Sequence, residues 1–385
     1  MSIKRIFALV LSLALMISAF SACGDKNNTG GSVSSDSSSS TIASSSDSSS
    51  SSTGASSATS STTSTSSTSS TSSTASTSSA STSSKFVLTH AKQVYKFDNT
   101  KDAIICWGDS ITESMGMVDL YRYPAQLQGD IGSQFKVINA GVSGENSNEI
   151  TSRANLLDIG LTNYIMFPKG VDSVELTREF ASIKGGEVLY YKGFGRELAM
   201  TDLIIGGKNY KMSFKNGEHW DQGIYTLTRT DASQTLTLPK GTTVKYDYSD
   251  KFESIYCNVI LMGANDKNVP IPEIIERYRR LGSSSKKNIY IIPHYYGDAD
   301  GSITKLFKDA FGDQALDLRD YFVNHAHEDY DVEKTALDKF CIRKNQVPVT
   351  FCYQNKRDEC HLSSIGYKVM ADQVYKLGVK LGYWK

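Results

Sequence analysis

The stretch AIICWGDSITES, Ala103 to Ser114, carries an apolar run into a glycine, an acid and a serine. A short apolar run bounded by turn residues reads as a buried strand, so Gly108-Asp109-Ser110 stands at the strand's carboxyl end. A serine in that place is either a cap where strand hands over to helix or a nucleophile exposed at a sheet edge. Asp109 is read as the cap, because an acid at such a turn accepts hydrogen bonds from the first helical N–H groups. Ser110 is then left for chemistry.

Working outward, Phe135 to Asn139, Ser254 to Met262 and Asn288 to Pro293 are further apolar runs that end in polar or turn residues. Ile271 to Leu281 places Ile274, Ile275, Tyr278 and Leu281 at helical spacing, and Ser363 to Leu381 does the same with Ile365, Val369, Val374, Leu377 and Leu381. Strands alternating with helices predict the α/β class, with a parallel sheet covered on both faces. From about Thr162 to Asp250 the rhythm changes to period two, in Tyr225 and Leu227, Leu236 and Leu238, and Val244 and Tyr246. Turn signals recur at Gly185-Gly186, Gly206-Gly207, Asn216-Gly217 and Lys240-Gly241. The expectation is an α/β domain made of residues 85–161 and 251–385, with a small antiparallel β-module inserted at 162–250.

In open α/β sheets reactive groups gather at the carboxyl ends of the strands. Three such ends are polar: Gly108-Asp109-Ser110, the run from Asn139 to Gly144, and Gly263-Ala264-Asn265-Asp266. A serine nucleophile needs a base and a third group to hold that base in the right tautomer. Asp358 and His361, in DECHLSS before the last helical pattern, offer both. The developing oxyanion needs donors fixed before reaction, which the backbone N–H groups of Ser110 and Gly144 and the side-chain amide of Asn265 supply.

Their joint order resembles the SGNH/GDSL hydrolase family, whose four blocks are matched by GDSIT, NAGVSGE, MGAND and DECHLS. The resemblance covers the α/β portion and not the β-module. It implies a flavodoxin-like three-layer α/β sandwich with a parallel sheet. It further implies Ser110 as nucleophile, His361 as base, Asp358 as its orienter, and Ser110, Gly144 and Asn265 as the oxyanion hole, with no metal or organic cofactor.

Other candidates carry less. Ser143 in GVSG is read as a turn residue, since the G-x-S-x-G elbow of α/β-hydrolases does not occur. His294 and Tyr295, at the end of a strand, and Trp220, in the polar run NGEHWDQG, are taken as possible substrate contacts; Tyr190, Tyr191, Phe194 and Tyr225 add aromatics to the module. HAHEDYD, His325 to Asp331, holds metal-ligand residue types without a recognised spacing and reads as a solvated loop. Cys106 and Cys257 lie in apolar runs and are expected to pack as small hydrophobes. Cys341, Cys352 and Cys360 are near enough in sequence for one pair to bridge, the spacing leaving open which.

Ahead of the folded part, Met1 to Ala22 has a basic start and an apolar run, the layout of a secretory signal. FSAC resembles the lipobox of bacterial lipoproteins, which implies lipidation of Cys23, a membrane anchor and an extracellular, cell-surface location. From Ser32 to Ser84 the chain is almost entirely Ser, Thr, Ala, Asp and Gly. Such composition buries too little apolar surface to offset the entropy of ordering. It predicts a tether, residues 23–84, with a reach of about 40 Å.

Lys+Arg and Asp+Glu each total 41, so no net basic field attracts nucleic acid. The expectation is a monomeric, lipid-anchored serine esterase acting on O-acetyl groups of a carbohydrate polymer outside the cell. A lipase or lysophospholipase is one alternative, and a surface glycan-binding protein without catalysis is another.

Overall fold

The computed structural model describes residues 95–192, 201–215, 223–357 and 360–385. Along the chain, β1 (Asp102–Gly108) leads through α1 (Ser110–Glu113) and α2 (Tyr123–Ile131) to β2 (Lys136–Gly141) and α3 (Ser147–Arg153). Ten short strands follow: β3 (Ile159–Leu161), β4 (Ile165–Phe167), β5 (Ser173–Leu176), β6 (Ala181–Ile183), β7 (Val188–Leu189), β8 (Leu203–Ile205), β9 (Lys208–Lys215), β10 (Ile224–Thr228), β11 (Leu236–Leu238) and β12 (Thr243–Tyr246). The chain then returns to alternation with β13 (Ser254–Leu261), α4 (Ile271–Gly282), β14 (Asn288–Ile291), α5 (Ser302–Phe311) and β15 (Ala315–Leu316). It closes with α6 (Leu318–Asn324), α7 (Ala326–Asp329), α8 (Ala336–Arg343) and α9 (Ser364–Lys380).

β1, β2, β13, β14 and β15 form a five-stranded parallel sheet in the order β15-β14-β13-β1-β2. Counted among themselves along the chain, these strands run 2-1-3-4-5, a doubly wound order whose switch point lies between the first and third strands. The sheet is apolar on both sides because successive side chains point to opposite faces. Within β1, Ile104 and Cys106 join a core with α2, α6 and α9, through Tyr123, Leu127, Phe322, Tyr367 and Val369. Ala103, Ile105 and Trp107 join the opposite core, with Ile150 of α3, Phe307 of α5, and Ile274, Ile275, Tyr278 and Leu281 of α4. All four of these α4 residues are buried, as their spacing predicts, each contributing about 1.5–3 kcal/mol. The helical pattern at the C-terminus likewise forms α9. β15 carries no apolar run that would announce it, being only two residues long.

The ten intervening strands build their own core. Eight pair antiparallel in the order β5-β10-β9-β8-β12-β3-β6-β7, and β4 pairs with β11. Phe167, Leu203, Tyr210, Tyr225, Leu227, Leu238 and Val244 are buried together between them. The sheet starts at Ile159, ahead of Thr162, because β3 pairs with both β12 and β6. At Gly206-Gly207 φ is 59° and 81°. Two positive values are what a two-residue hairpin loop matching the strand twist requires. Asn216-Gly217 lies outside the described residues.

Candidate active site

Two glycines explain how Ser110 is presented. A Cβ on Gly108 would stand 2.1 Å from Thr112 Oγ1, and one on Gly141 2.0 Å from the Glu113 backbone nitrogen. The short helix α1 therefore folds back over the ends of β1 and β2 only because neither strand carries a side chain there. Asp109 caps that helix, its Oδ1 accepting from Ile111 N–H at 3.0 Å. Ser110, the first residue of α1, is thereby seated at the switch point of the sheet.

His361 reaches it from the opposite end of the chain. The loop before α9 is fixed by Tyr353 N–H donating to the His361 carbonyl at 2.9 Å and Ser363 N–H to the Phe351 carbonyl at 2.8 Å. His361 Nε2 then lies 2.7 Å from Ser110 Oγ, with the two residues 6% and 7% exposed. With the imidazole proton on Nδ1, Nε2 accepts from the serine hydroxyl, the arrangement a general base needs. Cys360 Sγ lies 3.4 Å from His361 Nδ1. Asp358 lies outside the described residues.

The expected oxyanion donors sit on the two neighbouring strand ends. Gly144 is exposed, has φ 77°, and its N–H donates to no acceptor among the described residues. Asn265 Nδ2 donates to the Glu145 carbonyl at 2.9 Å. An amide nitrogen carries two hydrogens, so one is left to offer.

Acids with no role foreseen in the sequence stitch these loops together. Glu113 Oε2 accepts from Ser143 N–H at 2.9 Å and Ser143 Oγ at 2.5 Å, tying α1 to the turn after β2 and making Ser143 a turn residue as expected. Asp266 accepts from Ser147 N–H and Oγ at 3.0 and 2.8 Å, and Arg277 of α4 pairs with it at 2.7 Å. Glu145 and Arg153 form a buried pair at 2.7 Å, and Arg153 also donates to the Ala140 carbonyl at 2.7 Å. Glu145 ends the second quoted block and Glu113 directly follows the first, but nothing in linear spacing names their partners.

Other candidates turn inward. His294 is buried, its Nε2 donating to the Cys360 carbonyl at 3.1 Å, and so braces the loop that carries His361. Tyr295 is half-buried and its hydroxyl donates to the Met262 carbonyl at 3.1 Å, beside the Asn265 loop. Tyr191 and Tyr225 are buried in the module's core, where the Tyr225 hydroxyl donates to the Tyr191 carbonyl, which removes both from contact with substrate. Trp220 and Phe194 lie outside the described residues.

The segment HAHEDYD is not a solvated loop. It forms α7, with His327 buried against Phe351 at 4.9 Å and donating from Nδ1 to the Val332 carbonyl at 2.9 Å. Cys341, Cys352 and Cys360 are buried thiols, so no bridge joins any two of them. Cys106 and Cys257 pack in the core.

Two buried groups titrate in opposing senses. Burial raises the Asp109 carboxyl to about 7, against the lowering pull of the Ile111 and Ala264 N–H groups and of His361. Burial lowers the His294 imidazole to about 4. Between about pH 4 and 7 the folded chain holds a proton on Asp109 that the unfolded chain has released, so stability from that group is lost as pH rises. Between about pH 4 and 6.5 the unfolded chain protonates His294 and the folded one does not, so stability is lost as pH falls. Each slope amounts to at most about 4 kcal/mol over its window, and the two offset one another. Asp109→Asn, which retains the cap acceptor, is expected to make stability rise from pH 4 to 6.5, and His294→Gln to make it fall over the same range. Urea midpoints across that range check both, and parallel profiles for the two variants would contradict the assignment.

No family model, no curated protein and no solved structure matches this chain.

Proposed function

We propose that the chain is a serine hydrolase of the SGNH/GDSL type, with that family's fold in its α/β portion, cleaving O-acetyl esters on a carbohydrate polymer. The observation that carries this reading is the 2.7 Å approach of His361 Nε2 to Ser110 Oγ at the carboxyl end of β1, beside the loops bearing Gly144 and Asn265. His361 takes the Ser110 proton as Oγ attacks the ester carbonyl. The tetrahedral oxyanion is received by the N–H groups of Ser110 and Gly144 and the Asn265 amide. His361 returns the proton to the leaving alcohol, then activates the water that releases acetate. Asp358 is assigned to orient the imidazole, and no metal or organic cofactor takes part.

The polymer substrate is supported by Tyr190, which is 42% exposed in the segment that touches the Gly144 turn and has the Arg178 guanidinium 5.1 Å from its ring centre. A partly exposed aromatic ring beside a guanidinium suits contact with sugar rings and hydroxyls. The decisive experiment is labelling with a fluorophosphonate, followed by a screen of acyl chain length and acetylated glycans. Failure to label Ser110 would overturn the assignment, and a preference for long acyl chains would move it to lipids.

The same reading places the protein on the cell surface as a monomer, anchored through Cys23, which lies outside the described residues. The full-length protein is expected to partition into detergent and Cys23→Ser into the aqueous phase. Equal partitioning of the two would refute the anchor.

A further inference from the structure

The inserted β-module does not merely flank the site; one of its lysines grips the oxyanion turn. Lys192 follows β7, and its Nζ donates to the Gly144 carbonyl at 2.9 Å and to Glu149 Oε2 at 2.6 Å. Its side chain is only 11% exposed. Glu149, in α3, is itself fixed from both sides. Oε2 accepts from Asn146 N–H at 2.9 Å, and Oε1 accepts from Tyr190 N–H at 3.1 Å. Glu187, just ahead of β7, adds bonds from the side chains of Asn146 at 2.9 Å and Asn148 at 2.8 Å. The module segment 187–192 thus clasps the run Gly144 to Glu149 through two side chains, Glu187 and Lys192, and one backbone donor, Tyr190 N–H.

The turn so clasped has Val142 to Glu145 as its four residues, closed by Glu145 N–H on the Val142 carbonyl at 3.2 Å, with φ 77° at Gly144. A positive φ at the third position is the type II form, which glycine alone adopts without strain. Glycine also leaves the turn soft. Glu113 holds its entry at Ser143 N–H and Lys192 holds its exit at the Gly144 carbonyl, so the intervening peptide, whose N–H belongs to Gly144, is pinned from both ends.

We propose that Lys192 is a positioning residue for catalysis, supplied by the β-module to hold the Gly144 N–H where the oxyanion forms. The inference rests on the serine-hydrolase reading and extends it, because the module then serves the chemical step on every ester and not only the capture of a polymer. Loss of the ammonium is felt in the transition state, where the N–H is called on, and little in ground-state binding.

The test is Lys192→Met in the full chain, assayed on a small activated acetyl ester. The expected result is a fall in kcat of about tenfold to a hundredfold with KM within twofold, and recovery of most of the loss in Lys192→Arg. Urea unfolding of both variants reports whether the fold is retained. A kcat within twofold of wild type, a loss carried by KM alone, or no rescue by arginine in a folded variant would overturn the proposal. If Lys192→Met fails to fold, the arginine variant decides, since it must then keep both fold and turnover. Absence of fluorophosphonate labelling in the wild type would instead remove the hydrolase reading, and the proposal with it.

Discussion

Ser110→Ala is expected to lower kcat on an acetyl ester by about 10⁴-fold or more while leaving the fold intact. The hydroxyl faces an imidazole nitrogen at 2.7 Å and stands on the first residue of α1 at the sheet edge. On the proposed mechanism, removing it deletes the bond-forming atom. His361→Ala is expected to cost nearly as much, because a neutral hydroxyl without a base is a poor nucleophile. The double variant should lose no more than either single one, since nucleophile and base act as one unit and their losses do not add. Asn265→Ala should cost less, about 10²- to 10³-fold, as one oxyanion donor among three. Steady-state kinetics on purified variants decide the matter, and a Ser110→Ala enzyme within tenfold of wild type would end the assignment.

The largest expected effect on stability lies one shell away. Arg153 and Glu145 are 2% and 5% exposed, joined at 2.7 Å, with Arg153 Nε a further 3.1 Å from both carboxylate oxygens. The guanidinium also stands 5.4 Å from the Trp107 ring centre. Burial works against the arginine's charge, yet the Glu145 carboxylate outweighs it and its pKa is raised. Arg153→Met would leave that carboxylate buried without its partner, at a cost of about 3–5 kcal/mol.

Glu145→Leu combined with Arg153→Met removes the stranded charge and should recover much of that loss, because an apolar pair of similar volume replaces a buried ion pair at little cost. Denaturant midpoints of the single and double variants measure the difference. Equal destabilisation by both would show that packing, and not the stranded charge, dominates. The single variant should also lose activity, since the Glu145 carbonyl is the anchor of the Asn265 amide.

The parts of this protein that were legible along the chain are those governed by near neighbours. The apolar run of β1, the helical spacing of α4, the hairpin glycines of the module and the capping acid before Ser110 each follow from contacts spanning a few residues, where periodicity and backbone preference act. The serine and histidine could be named because their strand-end and pre-helix settings are local too. Chain folding in three dimensions decided the rest. Glu113 meets Ser143, Arg277 meets Asp266, Lys192 meets Gly144, and His294 turns inward to hold the loop of His361. Tyr191 and Tyr225 vanish into a core, whereas Tyr190 between them in kind is left exposed. An ion pair or a buried tyrosine depends on which surfaces are pressed together and how much water is expelled between them, and linear order carries no record of either.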